Sequence, residues 1–285
     1  MKHTLLPLTA ALVFATPVPA QVTALSQFSP TGTIIGIAFD PLTDSVWIVR
    51  SFGADLRRYS RAGVFLSSVP RPGESANDAD LEVAPVGLTL GSTTIPAGTL
   101  LFINGESNAA EIYAVDPTSG ALLATLPTAF GLSHVVGGAY HPGRGTFFLV
   151  QDRVPAGTID DSVVAEVSAA NGSVLNTFQI TAILPSYSVN YGDIDVALNG
   201  NLLIVSDDET AIAEFTPTGD FVQTMALPSG VSSLSGIAVS QAGCETWVSG
   251  TAGTVSSLGG LGAVPCCGSA DFDGDGDAGT DLDIE

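Results

Sequence analysis

A hairpin-like pattern that begins with glycine recurs along this chain, and it limits the fold more than any other feature. The three clearest copies are GIAFDPLTDSVWIV at 36–49, GGAYHPGRGTFFLV at 137–150 and GIAVSQAGCETWVS at 236–249. Each has a short apolar run, a turn, and a second run with an aromatic residue at the same offset: Trp47, Phe148 and Trp247. Run length and turn residues predict a β-hairpin in each copy, with the aromatic side chains packed inside the repeat.

Two variants complete the series. DIDVALNGNLLIV at 193–205 has a shorter turn, and GLTLGSTTIPAGTLLFI at 87–103 has a longer one. The first four hairpins are each followed by an alternating hairpin, at 56–69, 111–126, 163–178 and 211–225. Four strands per unit, repeated about every 45–55 residues, are typical of the blades of a β-propeller.

The last unit lacks a fourth strand, because a single strand near 254–258 follows the hairpin at 236–249. Residues 22–28 (VTALSQF) alternate suitably to supply it, and closure by both ends of the chain would remove exposed sheet edges. We therefore predict an all-β chain with a five-bladed propeller over 21–258. The count becomes six if residues 70–86 contain further strands. An open β-sandwich does not explain the fixed spacing from glycine to aromatic.

The G-[IL]-A-[FV]-D-P start, the W-[IV]-V strand and the x-x-[YF]-x-x-x-G-x-[FL] hairpin resemble the NHL, YVTN and gluconolactonase/regucalcin-like propellers over residues 22–258. Gluconolactonase-like enzymes hold one metal with a Glu, an Asn and an Asp. The resemblance implies Asp207 as the strand-end Asp, with Glu106 and Asn104 as candidates for the others. Gln151-Asp152-Arg153 is similar to a short motif of esterase-like phytases.

Polar residues are expected to gather where the loops meet one end of the propeller channel, the usual place for a ligand. The predicted ligand or metal residues there are Glu106, Asp152, Arg153, Asp207 and Asp208. Arg50, Asn104 and Glu209 belong to the same face, and the loops leading into the inner strands add Glu74, Asp78, Asp80, Glu82, His134, Asp193 and Asp195. Converging carboxylates could hold a divalent metal that polarises a lactone or phosphoester. The alternative is that they are solvated turn formers and strand caps.

Motifs of nucleophilic catalysis are missing, since the sequence has no G-x-S-x-G elbow and no Walker loop. We therefore expect a non-enzymatic binding or scaffold module, with a metal-dependent hydrolase of the gluconolactonase or phytase-like kind as the alternative. The net charge of −21, a single lysine (Lys2) and no basic side chain after Arg153 argue against nucleic-acid binding. Cations, cationic partners or neutral ligands suit such a chain better.

Residues 1–20 have the composition of a secretory signal peptide. Lys2 and His3 precede an apolar run over 5–15, and VPA at 18–20 gives a cleavage site. This predicts a secreted protein, extracellular or periplasmic, and no later segment is apolar enough to span a membrane. Export also permits disulfides among Cys244, Cys266 and Cys267, whose pairing the sequence leaves open.

The acidic C-terminal tail, DFDGDGDAGTDLDIE at 271–285, follows a Gly-rich linker with a Cys pair at 259–270. Asp271, Asp273 and Asp275 at alternate positions, then Gly276, match the first half of an EF-hand calcium loop, with Asp277 contributing its backbone carbonyl. The tail resembles a truncated dockerin repeat, which implies calcium binding and a cohesin-like or cell-surface protein as partner. Leu282 stands where the last acidic ligand is expected, so Asp281 or Asp283 would replace it. A disordered acidic tail is the alternative.

Overall fold

The computed structural model describes residues 22–73, 76–106, 108–131, 134–152, 162–240 and 245–261. In this part of the chain, regular structure is almost entirely antiparallel β-sheet, and the one helix, α1, covers Ile180–Ile183. The strands form five four-stranded sheets, here called blades 1 to 5, and one two-stranded hairpin. The predicted signal peptide, Arg153, Glu74, the three cysteines and the calcium loop lie outside the described residues.

Each blade is described from its innermost to its outermost strand. Blade 1 consists of β2 Ile34–Asp40, β3 Ser45–Arg50, β4 Asp55–Ser60 and β5 Phe65–Pro70. Blade 2 consists of β6 Ala79–Val83, β9 Leu100–Asn104, β10 Glu111–Val115 and β11 Leu122–Pro127. Blade 3 consists of β12 Val135–His141, β13 Thr146–Gln151, β14 Val163–Ser168 and β15 Val174–Gln179.

Blade 4 consists of β16 Asp193–Val196, β17 Leu202–Val205, β18 Ala211–Phe215 and β19 Phe221–Ala226. Blade 5 consists of β20 Leu234–Val239, β21 Glu245–Gly250, β22 Thr254–Gly259 and, on the outside, β1 Thr23–Phe28. The inner strands β2, β6, β12, β16 and β20 contact one another in a closed ring around a central channel. The five-bladed propeller predicted from the repeats is therefore confirmed.

The N-terminal strand closes the ring as expected. β1 pairs antiparallel with β22, from Thr23 opposite Gly259 to Phe28 opposite Val255. The ring of Phe28 lies 5.8 Å from that of Tyr59 in blade 1 and 6.3 Å from that of Trp247 in blade 5. β1 thus provides hydrogen-bond partners for the outer edge of β22. Its Phe28 side chain also fills the gap between the first and last blades.

Blade 2 differs from the prediction. Residues 87–103 do not form its inner hairpin, because Leu88–Leu90 and Thr93–Ile95 pair with each other as the separate hairpin β7–β8. The inner strand is β6, which pairs with β9 across the inserted hairpin. Residues 70–86 therefore do contain a strand, but it belongs to blade 2 and the count stays at five.

Packing between blades follows the same arrangement at three of the five blades. Trp47, Phe148 and Trp247 are fully buried in the second strands of blades 1, 3 and 5. Each stands opposite an alanine of the inner strand, namely Ala38, Ala139 and Ala238. A small residue beside each large ring keeps the space between blades filled without overpacking. The predicted role of these aromatics in inter-blade packing is confirmed.

Within the described residues, no helix has the length and apolar character needed to cross a membrane.

Candidate functional site

The inner strands run in the same direction, so all five begin at one end of the channel, here called the upper face. Two pairs of contacts show the shared direction: Asp80 and Glu82 reach Gly138 and Tyr140, and Asp193 and Asp195 reach Ile237 and Val239. The loops leading into the inner strands and the loops after the second strands meet at the upper face. This is the face at which the sequence predicts a ligand.

Three potential metal ligands converge there between blades 2 and 3. One ligand atom each from Asp78, His134 and Asp152 lies within 4.8 Å of the others. Nδ1 of His134 is 2.8 Å from Oδ2 of Asp78 and 3.8 Å from Oδ1 of Asp152. In the part of the chain that the structure describes, this is the one group of three such residues close enough to share an ion.

Backbone hydrogen bonds fix the loops that carry the three ligands. The N–H of Gly105 donates to the carbonyl of Asp78 at 2.9 Å, and the N–H of Asp152 donates to the carbonyl of His134 at 2.9 Å. Each bond ties a loop leading into an inner strand to the loop after the neighbouring second strand. The ligands are therefore placed by the edges of two rigid sheets and not by a free loop.

Glu106 supports the same cluster from one side. Its Oε2 accepts the backbone N–H groups of Asn77 at 2.8 Å and Asp78 at 3.2 Å. Its own N–H donates to Oδ1 of the buried Asn104 at 3.3 Å. Two of the residues predicted around a metal therefore hold the loop that presents Asp78.

Burial sets the electrostatics of the cluster. Desolvation raises the pKa of Asp78 to about 6, the facing His134 opposes this shift, and the nearby Glu106 adds to it. Asp78 and Asp152 are buried, whereas the His134 side chain is 36% exposed. A metal bound here would therefore keep one side open to solvent or to a ligand.

Backbone strain is concentrated on the upper face. Six of the described residues other than glycine have a positive φ. Five of these six lie in upper-face loops: Phe52, His134, Ser162, Tyr191 and Ser233. Bulky residues rarely adopt this conformation, and such strain gathers at ligand-binding sites. Phe52, at φ 51°, is 63% exposed, so the strained loop presents an aromatic ring to solvent.

Asp207 and Asp208 lie on the upper face of blade 4 and are not members of the three-ligand cluster. Their carboxylates accept from the Asn190 amide at 2.8 Å and 3.4 Å. Glu209 accepts the backbone N–H of Ser188 at 3.0 Å. Arg50, also predicted for this face, forms an ion pair with Asp55 at 3.0 Å. These residues tie loops together in the way that turn formers and caps do.

Four carboxylates expected in loops lie instead on the inner strands, which corrects the prediction for Asp80, Glu82, Asp193 and Asp195. Asp80 and Asp193 are buried, and Glu82 and Asp195 are half-buried. They belong to the inner strands β6 and β16. Each accepts a backbone N–H from the inner strand of the next blade, at 3.2, 2.8, 2.8 and 2.5 Å in that order. Desolvation raises the pKa of Asp80 to about 8 and that of Asp195 to about 7, and raises those of Glu82 and Asp193 well above their usual range.

At one level of the channel the inner strands carry glycine and aspartate in alternation, in the blade order Gly36, Asp80, Gly137, Asp193 and Gly236. A Cβ at Gly36 would lie 2.7 Å from the Cα of Asp80, and one at Gly137 would lie 2.5 Å from the Cα of Asp193. The glycines thus let neighbouring inner strands approach closely enough for the two aspartates to fit.

Comparisons with known proteins give structural neighbours only. No protein-family model matches the chain, and no curated protein matches it. A solved protein of unknown function from Bacteroides caccae has a TM-score of 0.47 at 14% identity, over 75% of this chain and 69% of that one. A streptogramin B lyase has a TM-score of 0.46 at 15% identity, over 83% and 72%. Virginiamycin B lyase from Staphylococcus aureus has a TM-score of 0.43 at 16% identity, over 79% and 66%.

Proposed function

We propose that this chain is an exported propeller that binds a divalent transition metal through Asp78, His134 and Asp152 and uses the metal to hold an oxygen-bearing ligand at the upper face. The observation that carries the proposal is the convergence of these three ligand atoms within 4.8 Å. The proposed function is therefore binding, as the sequence favours, and the ligand would be held by a metal at the channel mouth.

The spacing suits a metal ion. Two ligands that each lie about 2.1 Å from one ion stand at most about 4.2 Å apart. The distances from His134 to Asp78 and to Asp152, 2.8 and 3.8 Å, both fall below this limit. One imidazole nitrogen and two carboxylate oxygens favour zinc or manganese over calcium, which takes oxygen ligands.

A coordination position left open by the three described ligands would support a ligand-binding role over a purely structural one. Structural zinc sites are closed by four protein ligands, whereas sites with three leave a position for water or substrate. His134 is partly exposed, and the exposed ring of Phe52 adds an apolar surface on the same face. In a chain of net charge −21, the bound ion would be the local positive charge that attracts a carboxylate, phosphate or carbonyl oxygen.

Export and attachment complete the proposal. Cleavage after residue 20 would deliver the propeller outside the cytoplasm, and the tail at 271–285 would bind calcium and dock on a cohesin-like or cell-surface protein. The sequence patterns that support export and attachment are the signal-peptide composition of residues 1–20 and the alternating aspartates of the tail.

A metal-dependent hydrolase is the second candidate. The observation that favours it is Glu106, which is close enough to raise the pKa of Asp78. A metal can lower the pKa of bound water to about 7, and a neighbouring carboxylate can accept its proton. The same three ligands would then activate water against a lactone or phosphoester.

Calorimetric titration of the full chain with zinc and manganese tests the proposal. We expect one site per chain, lost or weakened at least tenfold in Asp152→Asn and in His134→Phe. Asp208→Asn is the matched control, because it removes an upper-face carboxylate outside the cluster. Equal binding by all four proteins would refute the site. Turnover of a lactone or phosphoester by the metal-loaded wild type, lost in Glu106→Gln with metal binding retained, would favour the hydrolase.

A further inference from the structure

The inner strands alternate between two sequence patterns around a ring with an odd number of blades. Blades 2 and 4 carry acids at the first and third positions of a four-residue segment, DLEV at 80–83 and DIDV at 193–196. Blades 1, 3 and 5 carry glycine and alanine at those positions, in GIAF at 36–39, GGAY at 137–140 and GIAV at 236–239. Alternation cannot be completed in a ring of five, so blades 5 and 1 are neighbours of the same glycine–alanine type.

The acids of one blade accept backbone N–H groups of the next blade. Oε2 of Glu82 accepts the N–H of Tyr140 at 2.8 Å, and Oδ2 of Asp195 accepts the N–H of Val239 at 2.5 Å. Tyr140 and Val239 are the last residues of their four-residue segments. The third residue of an acidic segment therefore satisfies the N–H of the fourth residue in the following blade.

The N–H of Phe39, the fourth residue in blade 1, lacks such an acceptor. Phe39 pairs with Val46 in the same register as Tyr140 pairs with Phe147, so its N–H points towards the preceding blade, which is blade 5. At the position where blades 2 and 4 have their acids, blade 5 has Ala238, whose methyl group accepts no hydrogen bond. The group missing beside blade 1 is therefore an oxygen acceptor, because a buried backbone N–H is nearly always paired.

A second contact shows that the inner edge of blade 1 faces blade 5. A Cβ added at Gly236 would lie 3.1 Å from the backbone nitrogen of Ile37. Ile37 and Phe39 are two residues apart on β2, and N–H groups at this spacing point to the same side of a strand. The N–H of Phe39 therefore points towards blade 5 as well.

A cavity of about 30 Å³ lies at this position, at the end of the channel where the inner strands finish, here called the lower face. Phe39 and Ala238 both belong to its wall, and Glu82 and Asp195 line it from blades 2 and 4. Pro41 also lines it and is exposed, so the cavity opens towards solvent. The volume suits about two water molecules or a polar head of similar size. The missing acceptor thus coincides with a space that a ligand can enter.

A neutral acceptor fits this space better than an anion. Glu82 and Asp195 are half-buried carboxyl groups, and their charge would oppose a carboxylate or a phosphate. A carboxyl group keeps an acceptor oxygen in either protonation state, so a ligand that also carries N–H groups can donate to it. A primary carboxamide has both functions, because its oxygen accepts and its NH₂ group donates.

We propose that the lower cavity binds the primary carboxamide head of a small ligand, in the place that an acidic side chain of blade 5 would occupy. The carboxamide oxygen would accept the N–H of Phe39, and the NH₂ group would donate to Glu82 or Asp195. The alkyl part would extend past Pro41 towards solvent. This site lies at the opposite end of the channel from the metal cluster and does not depend on it.

Ala238→Asn is the decisive variant, because an asparagine side chain is a carboxamide attached to blade 5. Its oxygen would supply the acceptor that Phe39 lacks, and the side chain would fill the space of the ligand. Ala252→Asn is the matched control, since it makes the same substitution at an exposed turn residue of the same blade.

The measurement is a series of ¹H–¹⁵N NMR spectra of the full chain with propionamide, and with propylammonium as a probe that donates but cannot accept. Without ligand, the Phe39 amide should exchange with solvent faster than the paired amides of Tyr140 and Val239. Saturating propionamide should shift the Phe39 resonance and slow its exchange by about tenfold or more. Propylammonium should do neither. Ala252→Asn should respond like the wild type, whereas Ala238→Asn should not respond and its Phe39 amide should already exchange slowly.

Three results would overturn the proposal. Absence of a propionamide-dependent change at Phe39 in the wild type would leave the cavity to water alone. An equal response to propylammonium would show that the site does not select an acceptor. An unchanged response in a folded Ala238→Asn protein would place the ligand elsewhere. If Ala238→Asn does not fold, the comparison of the two probes on the wild type still decides.

Discussion

The carboxyl groups of Asp80 and Asp193 contact each other in the buried centre of the channel, from blades 2 and 4. Each also accepts a backbone N–H from the following blade, so the pair links four of the five inner strands. Two carboxylates this close in a buried place cannot both ionise without a large cost. The centre of the propeller therefore holds protons that the unfolded chain would release at neutral pH.

Stability should fall as the pH rises. Asp80 and Asp195 have folded-state pKa values of about 8 and about 7, and those of Glu82 and Asp193 are also raised. For a carboxyl group with a raised pKa, stabilisation is complete below the unfolded value of about 4 and is lost as pH rises through the folded value. Urea unfolding with chelator present should give a lower free energy at about pH 9 than at about pH 5.

Carboxylates with lowered pKa values, such as Asp55 and Glu166, have the opposite effect on stability. They stabilise the fold above their unfolded pKa of about 4, and this stabilisation is lost as the pH falls below it. They leave the slope between about pH 5 and 9 unchanged. Asp80→Asn should flatten that slope, because one of the two central charges is gone. A free energy of unfolding that rises with pH over this range would contradict the account.

The two buried tryptophans should contribute equally to stability. Trp47 and Trp247 occupy the same repeat position, each opposite an alanine. Truncation of either to alanine leaves a large cavity between blades and should cost about 3–5 kcal/mol. Phe52→Ala, at an exposed aromatic, is the control and should change stability little. A large difference between the two tryptophan variants would show that the repeat positions are not equivalent.

Removal of the closing strand should open the ring. Deletion of residues 22–30 exposes the edge of β22 and removes Phe28 from its contacts with Tyr59 and Trp247. We expect a marked fall in melting temperature. Leu25→Ser, at an exposed position of the same strand, should leave it nearly unchanged. An unaltered melting temperature in the deletion variant would count against closure.

Calcium should bind to the tail. The full chain should bind calcium with a dissociation constant of about 10⁻⁴–10⁻³ M, the level of extracellular modules. The double variant Asp271→Ala with Asp275→Ala should lose that binding and retain the zinc site. Equal calcium binding by both proteins would reduce the tail to a solvated acidic segment.

The fold could be predicted because the same spacing of glycine, turn and aromatic residues recurs in the sequence of successive blades. Gly36, Gly137 and Gly236 share one position and mark three blades directly. The inner strand of blade 2 was predicted wrongly because an inserted hairpin separates β6 from β9. The sequence D-L-E-V of Asp80 to Val83 nevertheless matches the D-I-D-V of Asp193 to Val196. That match was the signal that could have placed the strand correctly.

The site was harder to predict than the fold. Sequence pointed to the upper face and to Glu106 and Asp152, but placed Asp78 and His134 only among many loop residues. Their convergence depends on how blades 2 and 3 stand side by side, and spacing along the chain does not record this. Asp207 and Asp208 looked equivalent in sequence and are held instead by Asn190 on blade 4.

Diffraction from crystals of the full chain soaked in manganese or zinc tests the central claim most directly. An anomalous difference map is expected to show a peak at the upper face, about 2.0–2.3 Å from a carboxylate oxygen of Asp78, a ring nitrogen of His134 and a carboxylate oxygen of Asp152. A map with no peak among these three residues, at metal concentrations that saturate the calorimetric signal, would contradict the account.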